Sequence, residues 1–536
     1  MNKTSGFIGK ILSIILILLY SFLFLINAFG TTVIDKDYNL FREYAHFEIK
    51  YPVISLAIFA GLLLLFLHLF KNGVIEKADP RICKWTGAVL IAVTGIAWVF
   101  ITKGRPLADQ EQISVIATHF INNDYSDLDT GRYLNNYPHQ LGIIGVVELL
   151  YKIFHTTDFR LIMVINALLC AGIFLNLYNI AKTSIPDKRR LNYLSLLFAL
   201  MPVFPMHSFF VYGNLFGLFF ATLGIRLMIR ALTASCEKIA GKILPGIGAL
   251  FSFTLADICK NNTLIITIAS IICGLIYVLT SKTVRSGDGS DEMPENGRDR
   301  KPLRTMLFDL AIVLLIFLSF LGMKPVYSHY EHVSGKEILA GMPKTLWISM
   351  GLQDGMQEWG CGTNGWYNGY SVETFEACEY DAALSDKVAR ADIAKRLLFF
   401  KDHPGEGISF FKEKIVTQWS EPTYQAFWMI DAFDNHGELG ALATSLISGK
   451  LRHIISVWMR VFVLLVWFGN IVFAVKTFKK TEWLTLILSV SLLGGFLFHI
   501  IWEAKALYTL PYMIISIPTA IYGLILFGNM VKSRIV

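Results

Sequence analysis

Charge is scarce in this chain of 536 residues: Asp, Glu, Lys and Arg make up 17% of it, while 54% is hydrophobic. No single soluble core of ordinary composition needs that much apolar surface, so the composition reads as a polytopic membrane protein. Nucleotide and metal signatures are missing as well. There is no P-loop, no dinucleotide fingerprint, and no H-x-x-x-H, HExxH or CxxC pattern. Basic runs interleaved with aromatics are also absent, so the formal charge of +7 asks for no nucleic acid. Cysteines number seven, and five lie in or beside apolar runs, where they read as small buried hydrophobes. The other two, Cys361 and Cys378, fall in a long loop where an oxidising compartment would allow a disulfide.

What the chain does have is apolar length. Twelve runs, from 11–29, 52–70 and 86–102 through to 483–501 and 507–530, read as membrane spans, for which roughly 17 to 25 residues are needed. The two shortest are 191–204 and 243–258. The first run follows Lys3 and Lys10 and lacks an A-x-A site, so it reads as an uncleaved anchor. Lysine and arginine concentrate at Lys71, Lys77, Arg81 and Lys84, at Lys182 to Arg190, at Arg226 to Lys242, at Lys476 to Lys480 and near the C-terminus, which places these segments inside.

Parity turns on "LGIIGVVELLYKIF", residues 141–154. If this run crosses, "SIPDKRR" falls outside; if it lies at the interface, that loop and every later basic loop fall inside, as the charge rule favours. The expected architecture is then an α-helical polytopic membrane protein of about 12 transmembrane helices. Residues 1–102 form N-terminal spans, 103–160 an outer loop with interfacial helices and 161–323 central spans. Residues 282–305 read as a flexible cytoplasmic loop, 324–452 as a small extracytoplasmic subdomain and 453–536 as C-terminal spans. Within the subdomain, Ile393, Leu397, Leu398, Phe410, Phe411 and Ile415 are spaced for helix faces.

Chemistry concentrates in the first outer loop. "GRPLADQEQISV" sets Asp109 and Glu111 just past a span, where a carboxylate is cheap enough to be a solvated helix cap. Downstream, "NDYSDLDTGRYLNNYPHQLG" adds Arg132, Tyr133, Tyr137 and His139. The two tyrosines are four residues apart and fit an interfacial aromatic belt as well as a binding surface. Lys260 in "ADICKNNT" and Lys505 in "WEAKALY" each follow a span at an outer end, as snorkelling lysines or as cations for a phosphate. His207 sits at an outer junction of two spans and reads as a structural turn histidine or, alternatively, as a residue near donor or acceptor, while Glu503 is expected to pair with Lys505 or to face substrate. His499 reads as helix packing.

The chain resembles the GT-C superfamily of membrane glycosyltransferases, the polyprenyl-phosphate-sugar-dependent class that includes protein mannosyltransferases and the aminoarabinose transferases of lipid A. The resemblance rests on the acidic pair in the outer loop, on "YLNNYPHQLG" and on "HIIWEAKALYTLPYMI", and is closer to bacterial members with "GMPKTLWISMGL" and "GWYNGY" in an outer segment. It implies a multi-pass cell-membrane enzyme with an extracytoplasmic site that moves a sugar, with inversion, from a polyprenyl-phosphate donor to a carbohydrate, glycolipid or protein acceptor. On that resemblance Asp109 or Glu111 is the base, and Lys260, Lys505, Arg132 and His139 are the groups for the donor phosphate. Tyr133, Tyr137, His207, Glu503, Tyr508, Trp366 and Tyr367 would line the substrate site, with Trp347 and Trp359 in the covering segment. Adjacent acids and an Arg-Tyr pair are frequent in relatives, where this chain has Asp-Gln-Glu and Leu507-Tyr508. Some relatives use a divalent ion at the acids, but this reading assigns no metal and no cofactor.

The rival reading is a lipid or glycan flippase, which would place ionisable residues near the midplane and break its helices. Most charges here fall at span ends, Asp257 and Asp309 being candidate exceptions that both sit within a few residues of a boundary, and no internal repeat is evident. A non-catalytic scaffold is the third reading.

Overall fold

The computed structural model describes residues 3–37, 42–234, 240–281, 283–284, 301–355, 362–431, 434, 436–478 and 482–535. It is an α-helical polytopic membrane protein. Among the described residues eleven helices are long and apolar enough to cross a bilayer, or twelve if a pair bent by 50°, Lys188–Ala199 with Val203–Phe209, counts as one span. This bent pair answers to the short run at 191–204, which Pro202 and Pro205 interrupt because proline cannot donate to the helical ladder. The expected cytoplasmic loop at 282–305 lies largely outside the described residues, as do Trp359 and Cys361, and with Cys361 the disulfide reading.

Helix Leu141–Phe154 is not among the helices long enough to cross a bilayer. At 14 residues it is about 21 Å long, short of a roughly 30 Å hydrocarbon core. Leu141, Ile144 and Val147 are buried while Leu149, Ile153 and Phe154 are exposed, so its two sides face protein and surroundings respectively. It packs on helix Asp109–Ile121, with Ser114 Oγ and Tyr151 Oη 2.8 Å apart. The "SIPDKRR" loop lies at the opposite end of the bundle, where Asn192 Nδ2 donates to the carbonyls of Ile75 and Ala78, both at 2.9 Å.

Two features depart from the sequence reading. The ninth span does not stop at 323 but continues as helix Met323–Ser334 to Gly335, whose positive φ of 68° ends it. Lys242 is no loop cation: it is buried in helix Ala240–Cys259 and donates to Asp309 Oδ1 at 2.8 Å, each side chain only 1% exposed. Such a pair tolerates burial because each charge has its partner in place. Asp257 likewise accepts from Thr263 Oγ1 at 3.0 Å and Thr267 Oγ1 at 3.1 Å.

Between the first two spans lies an antiparallel hairpin, Gly30–Asp37 with Arg42–Ile49, in register from Gly30 opposite Ile49 to Asp37 opposite Arg42. Two strands alone are marginal. These are held by the following subdomain: Thr32 N donates to Ser420 O at 3.0 Å, and Thr363 Oγ1 exchanges hydrogen bonds with the Ala45 backbone, both at 2.7 Å. The subdomain is built on helices Lys344–Gly351, Tyr370–Ala377, Ala382–Asp402 and Pro404–Trp419. Its apolar face differs from the periodic expectation. Phe410 is buried, but Leu397 and Leu398 are exposed at the end of a helical hairpin that Arg396 pins by donating to Leu352 O at 2.7 Å.

Candidate active site

The site is assembled at the end of the bundle where helix Asp109–Ile121 begins. Ala108, just before it, has φ 52° and ψ −128°, a strained conformation for a residue with a Cβ. Asp109 and Glu111 both lie in the first turn, where the helix dipole favours carboxylates. Two residues along an α-helix turn the side chain by about 200°. Accordingly Asp109 is half-buried while Glu111 is exposed, and between them the buried Gln110 accepts from Val211 N at 3.0 Å.

That contact locks the helix to the turn after the bent span. Gly213 has φ +76°, and a Cβ there would lie 2.2 Å from the Cys259 carbonyl oxygen, so the turn needs glycine. Tyr212 is thereby aimed at Asp109, and its hydroxyl donates to Oδ2 at 2.9 Å. Gln140 Nε2 donates to the same hydroxyl oxygen at 2.8 Å. The relay fixes the phenolic proton on the side of Asp109, and Tyr133 also stands within hydrogen-bonding reach of this carboxylate.

Lys260 lies on the far side of this tyrosine, its Nζ 3.5 Å from the ring centre, which is cation–π range. Burial pushes its ammonium down to about 7, against the pull of Asp109 and Glu503. Glu503 is moved the other way, up to about 7, by burial first, with Lys505 opposing and Asp109 and Glu43 adding to the rise. Tyr508 donates to Glu503 Oε1 at 3.4 Å and stacks on His499 with ring centres 5.9 Å apart. Lys505 makes its ion pair with Glu43 of the hairpin, at 2.9 Å. Gln425 ties these together, donating to Glu43 Oε1 at 3.3 Å and accepting from Leu507 N at 3.2 Å.

Tyr133 and Tyr137 pack with ring centres 5.0 Å apart, and burial followed by the charge of Asp109 holds both phenols well above their ordinary range. Trp347 reaches in from the subdomain, 6.2 Å from Tyr137, 6.3 Å from His139 and stacked on Trp502 at 5.8 Å. Tyr367, 41% exposed, stands at the rim, and its phenol, raised to about 12 chiefly by burial, also feels Glu503 and Asp109.

Four expected residues take other places. Trp366 is 1% exposed and donates Nε1–H to Thr417 Oγ1 at 3.3 Å, so its faces belong to the subdomain core and no sugar can stack on them. Burial, then Lys260 and Lys344, pushes His139 down to about 3, which makes the ring neutral at pH 7 and unsuited to countering a phosphate by charge. Arg132 is exposed at the start of helix Tyr133–Asn136, outside the buried cluster. His207 has Val203 O 3.1 Å from Nδ1 and Tyr424 O 2.9 Å from Nε2, and so ties the bent span to the segment before Trp428.

Sequence reasoning missed Tyr212, Gln140, Glu43, Gln425 and Lys414. The last is fully buried, donates to Gly351 O and is pushed down to about 7 by burial, opposed by Glu503. Only Tyr212, next to a glycine after a proline-broken span, left a signal in the sequence.

A small cavity of about 30 Å³ is lined by Lys260 and Tyr508 together with the polar Asn262 and Thr263 and the apolar Leu218, Ile266 and Pro511. Among the described residues no three His, Cys, Asp or Glu side chains converge as a metal-binding set. No protein family, curated protein or solved structure matches the chain.

Proposed function

We propose that this protein is an inverting glycosyltransferase of the cell membrane, transferring a sugar from a polyprenyl-phosphate donor to a cell-envelope acceptor on the extracytoplasmic face. One observation carries the reading: the carboxylate of Asp109 and the cation of Lys260 both contact Tyr212, beside a small cavity lined by polar and apolar side chains. A polyprenyl phosphate has that same two-part character, and the apolar lining at Leu218, Ile266 and Pro511 suits its first isoprene units. The concentration of lysine and arginine at the opposite end supports the extracytoplasmic placement of the site.

In this mechanism the acceptor hydroxyl donates to the carboxylate of Asp109 while its own oxygen attacks C1 of the sugar. The bond from C1 to the phosphate oxygen breaks as the new glycosidic bond forms, the proton passes to Asp109, and the electron pair leaves with the phosphate. Lys260 offsets the charge gathering there, and low local dielectric strengthens that attraction. A base so placed supplies roughly 10² to 10⁴ in rate. Tyr212 and Gln140 orient Asp109; Tyr137, Trp347 and Tyr367 offer aromatic faces to sugar rings.

The test is reconstitution of the full chain in vesicles with radiolabelled polyprenyl-phosphate sugars and envelope glycolipid acceptors, followed by isolation of the product. A new glycosidic bond of inverted configuration, stable to the mild acid that cleaves the donor's sugar phosphate, is expected. Movement of labelled lipid across the bilayer with no new bond would replace this reading by the flippase.

A further inference from the structure

Next to Gln425, which hydrogen-bonds to Glu43, lies a larger cavity, about 240 Å³, at the same end of the bundle. Its walls come from the hairpin, from residues 421–428, from the start of the second span and from helix Lys450–Thr477. Four basic side chains line it: Lys50, Arg452, His453 and Arg460. Arg460 spends its guanidinium on the carbonyls of Asn27, Ala28 and Lys50, neutral acceptors that orient the group without cancelling its charge. Arg452 pairs with Asp431 and Lys50 with Glu48, the latter at 3.1 Å. The one acid in the lining, Glu421, is turned onto its own loop, accepting from Thr423 N at 3.1 Å, Thr423 Oγ1 at 2.6 Å and Gln425 N at 2.6 Å.

The rim is of another character. Tyr51 and Val457 line the cavity and are exposed, and Val53 and Ile454 beside them are exposed too. These belong to the terminal turns of two spans, at the level where a bilayer ends. A soluble anion would need the cations alone; a cationic chamber behind an apolar rim suits a molecule with an anionic head and acyl chains.

We infer that this cavity is a second lipid site, distinct from the Lys260 cavity, which takes the phosphate head of an anionic membrane lipid against Lys50, Arg452, His453 and Arg460. Gln425 lines it and also hydrogen-bonds to Glu43 and Leu507 N, so an occupant touches the segment that positions Lys505. The inference does not rest on the transfer reaction.

The test titrates the purified full chain, in neutral detergent, with short-chain phosphatidic acid, phosphatidylglycerol, phosphatidylcholine and inorganic phosphate, reading bound lipid by native mass spectrometry. The same titration is run on Lys260→Gln, which takes the cation out of the other cavity, and on Lys50→Gln/His453→Gln, whose side chains are not buried and whose unliganded thermal midpoint should match the wild type. Phosphatidic acid and phosphatidylglycerol are expected to bind at least tenfold more tightly than phosphatidylcholine or inorganic phosphate. The double variant should lose about tenfold of that affinity and Lys260→Gln little, which is about the loss expected from removing one or two contacts to a charged group. Equal binding of phosphatidylcholine, equal binding of inorganic phosphate, or undiminished affinity in the double variant would each overturn the proposal.

Discussion

Tyr212 donates its hydroxyl hydrogen to Asp109 Oδ2 at 2.9 Å and takes a hydrogen bond from Gln140 in return. A tyrosine from the turn after a broken span thus sets the orientation of an acid from a separate loop. Tyr212→Phe removes the donor while keeping the ring under Lys260. Hydrogen bonds to charged groups contribute about 1.5–3 kcal/mol, so kcat for sugar transfer should fall roughly 10- to 100-fold. The KM for the lipid donor should hardly move, because the cation over the ring survives; a steady-state kinetic comparison separates the two constants.

The pH dependence follows from the two groups at about 7. Below that value Lys260 is an ammonium and Glu503 a neutral acid; above it Lys260 is an amine and Glu503 a carboxylate. Both changes make the donor site more negative as pH rises. Affinity for the phosphate-bearing donor should therefore weaken between pH 7 and 9, read as a rising KM. Lys260→Arg, which stays charged throughout, should flatten the profile.

Ala108 offers a test of strain beside the proposed base. Its φ of 52° with ψ −128° is open to glycine and poorly open to residues with a Cβ. Strain of this kind costs of order 1–3 kcal/mol. Ala108→Gly should raise the apparent unfolding midpoint in detergent, and Ala108→Val should lower it.

How much of this was legible beforehand varies with the range of the interaction. The spans were, because a bilayer demands apolar length that any window reveals. So was a short helix over 141–154, too short to be a span. Asp109 could be singled out because it follows a span and opens a helix, and Lys260 and Lys505 because they end spans. Distinguishing Asp109 from Glu111 needed the helix in place, since only then does one acid meet Tyr212 while the other is exposed. Glu43 and Gln425 could not be picked out: their roles depend on a hairpin and a loop that meet only when the subdomain closes on residues 30–49. Trp366 looked like a sugar platform in the sequence because aromatics serve cores and sugars alike, and burial alone decides between them.

Glu43→Gln probes that closure. Lys505 and Glu43 are both largely buried, so removing the carboxylate 2.9 Å away leaves a cation poorly compensated, a change of about 3–5 kcal/mol for buried pairs. The apparent unfolding midpoint should drop clearly, and Glu43→Gln combined with Lys505→Met should recover part of it.

The most direct measurement is the initial rate of sugar transfer by Asp109→Asn and by Glu111→Gln, each reconstituted beside the wild type at saturating donor. Asparagine keeps the shape and the contact with Tyr212 but cannot accept the proton, so that variant should fall by roughly 10² to 10⁴. Glu111→Gln, altered only on the exposed side of the helix, should keep a rate close to wild type. Full activity in Asp109→Asn, or a loss confined to Glu111→Gln, would contradict the account.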